Sequence, residues 1–157
     1  MAFHYNGGPG TSSSGTVESA TQTLRFGASV AMGGYAGTGI VFDTCQAFGT
    51  TGALRFSFTG STNCSMEIQL QTYSLRSATD MPAGGCGSST GSPCMNTAKA
   101  PNVSTSSSPV TIPLSSFSNW NAAAGNEVVG VLWLLTTKVV GTPCTADLRI
   151  DDVRIIP

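Results

Sequence analysis

Leu54-Arg-Phe-Ser-Phe-Thr59 and Met66-Glu-Ile-Gln-Leu-Gln71 alternate apolar and polar residues at every step. Successive side chains of a strand point to opposite faces of a sheet, so each run has one dry face and one wet face. That pattern belongs to antiparallel sheets that pack on a core from one side. Downstream, Val128 to Thr136 is a strongly apolar run, and Ala146-Asp-Leu-Arg-Ile-Asp-Asp-Val-Arg-Ile-Ile156 reads as one closing strand. Upstream, Gly34-Tyr-Ala-Gly-Thr-Gly-Ile-Val-Phe42 is a strand punctuated by glycine, which marks a bulge or the close approach of another group. Leu24-Arg-Phe-Gly27 and Pro109-Val-Thr-Ile-Pro-Leu114 are shorter candidates, the second edge-like because proline cannot donate to a ladder. About eight short strands, with irregular connections and no internal repeat, give an all-β two-sheet sandwich.

The chain has 157 residues, enough for one domain with a sizeable core and too few for two ordinary ones. The domain is expected to span residues 1–157, with 1–23 a polar, Gly/Ser/Thr-rich segment that is peripheral or poorly ordered. A net charge of -1 leaves no basic footprint for nucleic acid or an anionic membrane surface. No apolar stretch reaches the length of a membrane span, and Met1-Ala-Phe-His-Tyr-Asn-Gly-Gly8 lacks the regions of a signal peptide.

Five cysteines in turn-rich sequence, without nearby histidine, read as a disulfide framework and hence as a secreted protein. Cys86 and Cys94 close a short loop within the long, apolar-poor stretch from Arg76 to Ser108 and are expected to pair. Cys64 with Cys144 is the second expected bridge, since both precede strands; Cys45 is then left over, and Cys45 with Cys64 is the alternative.

Asp151 and Asp152 are two of only eight acids, placed side by side in the closing strand. Neighbours on a strand face opposite ways, so one of them is expected to face inward and to need a cation or donors. Ca²⁺ with backbone carbonyls would serve, as would a salt bridge to Arg25 or Arg55.

Glu67, Gln69, Gln71 and Tyr73 fall on one face of their strand, spaced along the length of an oligosaccharide. Amide side chains both donate to and accept from sugar hydroxyls, and an aromatic ring covers the apolar face of a sugar. Trp133 belongs either to this groove or to the core with Val129, Val131 and Leu135. Tyr35 is a further candidate contact, with loop-edge packing the alternative for it and for Trp120. The absence of a basic cluster points to a neutral ligand.

An ordered set of segments resembles a known family: Gly34 to Cys45, Gly52 to Gly60, Cys64 to Thr72, Val129-Gly-Val-Leu-Trp133, and Cys144 with Ile150-Asp-Asp-Val153. Together they look like the secreted carbohydrate-binding modules of the galactose-binding-like β-jelly-roll type. The resemblance implies a jelly roll whose concave sheet binds glycan, with a structural calcium remote from that groove. It also implies aromatic residues in the Gly-Tyr-x-Gly strand, where this chain has Thr38 and Val41.

The leading functional reading is a non-catalytic module, a monomer or part of a larger secreted protein, that targets an associated enzyme or cell surface to a neutral polysaccharide. A structural or adhesive domain without glycan binding is the alternative. A glycoside hydrolase is the third reading, since Glu67 with Asp43 or Glu127 would supply the two carboxyl groups that hydrolysis needs, but no motif supports them. His4 is the only histidine and lies in the polar N-terminal segment, away from any triad-like arrangement.

Overall fold

The structure is a computed structural model that describes residues 1–75, 79, 98–104, 108–120 and 127–157. Among these residues ten strands run in chain order: β1 (Ala2–Gly7), β2 (Ser12–Glu18), β3 (Thr23–Val30), β4 (Tyr35–Gln46), β5 (Ala53–Thr62), β6 (Ser65–Thr72), β7 (Ala98–Val103), β8 (Val110–Pro113), β9 (Val128–Thr136) and β10 (Cys144–Ile156). Sheet A has the order β1-β4-β9-β6-β7 and sheet B the order β2-β3-β10-β5-β8. All neighbours are antiparallel. The fold is the two-sheet β-sandwich that the alternating runs predict.

The core forms where the dry faces meet. Leu54, Phe56 and Phe58 of β5 face Met66, Ile68 and Leu70 of β6 and Val131, Trp133 and Leu135 of β9 within one buried cluster. The Phe56 and Trp133 rings close the gap between the sheets edge to face, centroids 5.6 Å apart at 80°. Trp133 is fully buried. The groove alternative for it is therefore corrected: β9 is apolar on both faces, and the face carrying Trp133 is the one turned to sheet B.

Residues 1–23 lie at the periphery, but in regular structure. β1 and β2 are edge strands, one in each sheet, and are held by ladders to β4 and β3. Their serine, threonine and glycine content hides them from a periodicity reading. An edge strand needs a partner more than it needs intrinsic propensity.

The bridge between Cys64 and Cys144 is present, with Cα atoms 5.2 Å apart. It ties the residue just before β6 to the first residue of β10, one strand from each sheet. Cys45 is a free, exposed thiol on β4, which removes the alternative Cys45 to Cys64 pairing. Cys86 and Cys94 lie outside the described residues.

Candidate functional site

The outer face of sheet A is unusual. A central strand of a sandwich ordinarily shows polar residues to solvent. Here β9 presents Leu132 and Leu134 outward, flanked by glycine on β4 and by amide or carboxylate side chains on β6. The registers define successive rungs across the sheet. One is Tyr5–Gly37–Leu134–Glu67, and the next is Phe3–Gly39–Leu132–Gln69. A third begins at Gly7 and runs through Tyr35 and Thr136 to Ser65, while at the opposite end Val41 and Gly130 lead to Gln71.

The aromatic side of this face comes from strand β1. The Tyr5 ring covers Gly37, its hydroxyl oxygen 2.5 Å from where a Cβ on that glycine would stand, and the Phe3 ring covers Gly39 at 3.0 Å from the equivalent position. A side chain at either position would displace the ring, so the two glycines are the physical condition for rings that reach over β4. Tyr35 does the reverse, its ring reaching over Gly7 of β1. The Phe3 and Tyr5 rings lie 6.0 Å apart with planes inclined by only 20°. Tyr35 follows 6.2 Å from Tyr5, tilted by 57°. Burial, with Tyr35 and the Glu67 carboxylate as further causes, pushes the Tyr5 hydroxyl up to about 12, so it is neutral across the ordinary pH range.

The polar side is β6. Glu67, Gln69 and Gln71 are half-buried on the outer face, while Met66, Ile68 and Leu70 enter the core. Gln69 Nε2 donates to Glu67 Oε1 at 2.6 Å, and Lys99 Nζ of β7 lies 3.5 Å from the same carboxylate oxygen. These contacts pre-orient the carboxylate and the amide and leave the Glu67–Lys99 pair electrically neutral.

Of the other residues predicted for the site, Tyr35 stands on this face. Tyr73 opens a 3₁₀ turn just past β6, exposed, with its backbone N–H donating to the Glu127 carbonyl at 2.8 Å. It thus sits beyond the Gln71 end, whereas Tyr35 marks the Ser65 end. Trp120 packs partly buried against the core, tilted on Phe117 at 6.5 Å. Thr38 is buried and points into the sandwich, where its hydroxyl donates to the Phe3 carbonyl at 2.9 Å. An aromatic ring at Thr38 would not reach the outer face at all.

Phe3, Tyr5, Leu132 and Leu134 escape a reading of the sequence alone. Two signals pointed to them: an apolar run too continuous for a one-faced strand, and the glycines of β4, which announced a close approach.

Neither Asp151 nor Asp152 faces inward. A bulge between Asp151 and Arg154 breaks the alternation, and Asp152 takes the left-handed conformation at φ 51°. Both acids are exposed. Asp151 Oδ1 accepts from the Asp152 backbone N–H at 2.7 Å, and Asp152 Oδ2 lies 3.2 Å from Arg154 Nη2. Arg25 pairs instead with Asp147, at 3.9 Å. Among the described residues no group of three or more His, Cys, Asp or Glu comes together to hold a metal. This donor set does not fit the six to eight oxygens of a calcium site.

No protein-family model matches the sequence, and no curated protein does. Solved structures do match in shape. The family 11 carbohydrate-binding module of the cellulosomal cellulase Lic26A-Cel5E of Clostridium thermocellum superposes with a TM-score of 0.57 at 11% identity, covering 99% of this chain and 86% of that one. A family 11 module from Clostridium thermocellum in complex with a β-1,3-1,4-mixed-linked tetrasaccharide gives 0.59 at 13% identity, covering 99% and 88%. At such identities the likeness is one of fold: this chain shares the β-sandwich architecture of those modules.

Proposed function

We propose that this chain is a non-catalytic module that holds a neutral polysaccharide on the outer face of sheet A. The observation that carries the reading is the juxtaposition of half-buried rings on β1 with a strip of amide and carboxylate groups on β6 across an apolar floor. Rings cover the C–H face of a sugar, and amides and carboxylates satisfy its hydroxyls. Neutrality of the ligand is supported by the pairing of Lys99 with Glu67, which among the described strand residues of this face leaves no unpaired cation to hold a polyuronic or sulfated chain. The family 11 neighbour with a bound tetrasaccharide supports a glycan as the ligand class.

The role that suits such a module is to keep an associated enzyme or cell surface on its polysaccharide, outside the cell. The disulfide between Cys64 and Cys144 accords with an oxidising compartment. Depletion from solution by insoluble cellulose, xylan, mannan, β-glucan and pectin tests the reading. Retention on one or more of the neutral polymers, with no release of reducing sugar, is the expected result. A protein that stays in the supernatant with all of them is a structural or adhesive domain instead.

A further inference from the structure

We infer that the bound glycan lies parallel to the strands of sheet A, between β1 and β6, and does not cross them. The inference rests on the glycan-binding reading above and adds to it the course of the chain and the position of two sugar subsites.

Three observations carry it. First, the stacking groups are aligned along a strand. Phe3 and Tyr5 are two residues apart on β1, a step of roughly 6.6 Å, and their rings are nearly parallel, with centroids 6.0 Å apart. Both rings lean over β4 onto glycines, so together they make an aromatic row that runs in the direction of β1. Second, the hydrogen-bonding groups are aligned the same way and in phase. Glu67 shares a rung with Tyr5, and Gln69 shares one with Phe3. Each rung therefore offers one ring and one polar side chain, with Leu134 or Leu132 between them. Third, the rows are separated by little more than the floor. The rings already cover β4, and only β9 stands between β4 and β6, at about 4.8 Å per strand. Glu67 is close enough to Tyr5 to raise its pKa.

A glycan running along the strands places one sugar on each rung, with its apolar face on the ring and its hydroxyl edge toward β6. A glycan running across would use one ring and one polar group, leave the duplicate pair idle, and meet the Glu67–Lys99 ion pair end on. The repeated rung is what an extended polymer can exploit, because two adjacent subsites engage two units of one chain and the second contact costs little further loss of freedom. Tyr35, tilted out of the plane of the other two rings, bounds the row at the Ser65 end.

Cellohexaose, xylohexaose and mannohexaose, each untagged and with a nitroxide on the reducing end, test the orientation by amide resonance titration of the full chain. The untagged sugars first report whether any of them binds. With a sugar that binds, the tagged form is expected to broaden the amides at one end of the rows, Ser65 and Thr136 or Gly130 and Gln71, or at both ends if the sugar binds in both polarities. Lys99 should stay sharp. Broadening centred on Lys99, or on His4 of the edge strand β1, would show a chain that crosses the strands and would overturn the inference while leaving glycan binding intact. Untagged sugars that shift no resonance on this face remove the binding reading and the inference together.

Discussion

The Tyr5 ring occupies the space above Gly37 that a side chain on that residue would take. The two residues face each other across the β1–β4 ladder, so the ring can cover β4 there because its partner is glycine. Gly37→Ala should tip Tyr5 away from the sheet and weaken binding about tenfold, roughly 1.4 kcal/mol and the scale of one aromatic contact. Titration calorimetry with the retained glycan checks it, with circular dichroism confirming the fold. Gly37→Ala protein that binds as tightly as wild type would show that the position of the Tyr5 ring over Gly37 is irrelevant.

Tyr5 also sets an alkaline limit. Its folded pKa of about 12 lies above the ordinary tyrosine value near 10. A hydroxyl held neutral by the fold contributes stability that is complete below pH 10 and is lost as pH rises toward 12. Urea midpoints measured through that window should fall more steeply for wild type than for Tyr5→Phe, which has no proton to lose there.

Trp133→Ala separates core from surface. A fully buried indole packed on Phe56 should cost about 3 to 5 kcal/mol when truncated, visible as a large fall in melting temperature. An unchanged melting temperature with lost binding would return Trp133 to the groove.

Gln69→Ala and Gln71→Ala act the other way. Both side chains are half-buried on the outer face, while their neighbours Ile68 and Leu70 hold the core. Each substitution should lower retention about two- to tenfold, matching a net hydrogen-bond contribution of roughly 0.5 to 1.5 kcal/mol. The melting temperature should stay within a few degrees of wild type.

The Cys64–Cys144 bridge closes a separation of 80 residues. Cross-linking a loop of that length should contribute about 4.5 kcal/mol by constraining the unfolded chain. Cys64→Ser/Cys144→Ser protein should unfold at a distinctly lower urea concentration, with binding preserved below its midpoint.

Strands β5, β6 and β9 were legible because burial on one face, or on both, writes itself into the order of apolar residues. The sandwich and the cross-sheet bridge follow from them. What stayed hidden depends on pairing. Ala2–Gly7 carries too little pattern to announce a strand, yet its register with β4 delivers the rings of the site. Trp133 was ambiguous because both faces of β9 are apolar, so only the register across the sheet decides which face meets the core. The inward carboxylate expected at Asp151–Asp152 failed for a local reason. The bulge takes Asp152 into the left-handed region and cancels the two-residue alternation on which the expectation stood.

The central claim is that the rings of β1 hold a neutral polysaccharide against the outer face of sheet A. Its most direct test is the dissociation constant of wild-type protein and of the Phe3→Ala/Tyr5→Ala variant on the same retained polymer, with both proteins shown to be folded at the assay temperature. The account predicts measurable binding by wild type and a loss of at least about tenfold in the variant, the scale of one to two aromatic contacts. Equal retention of the two folded proteins would contradict it.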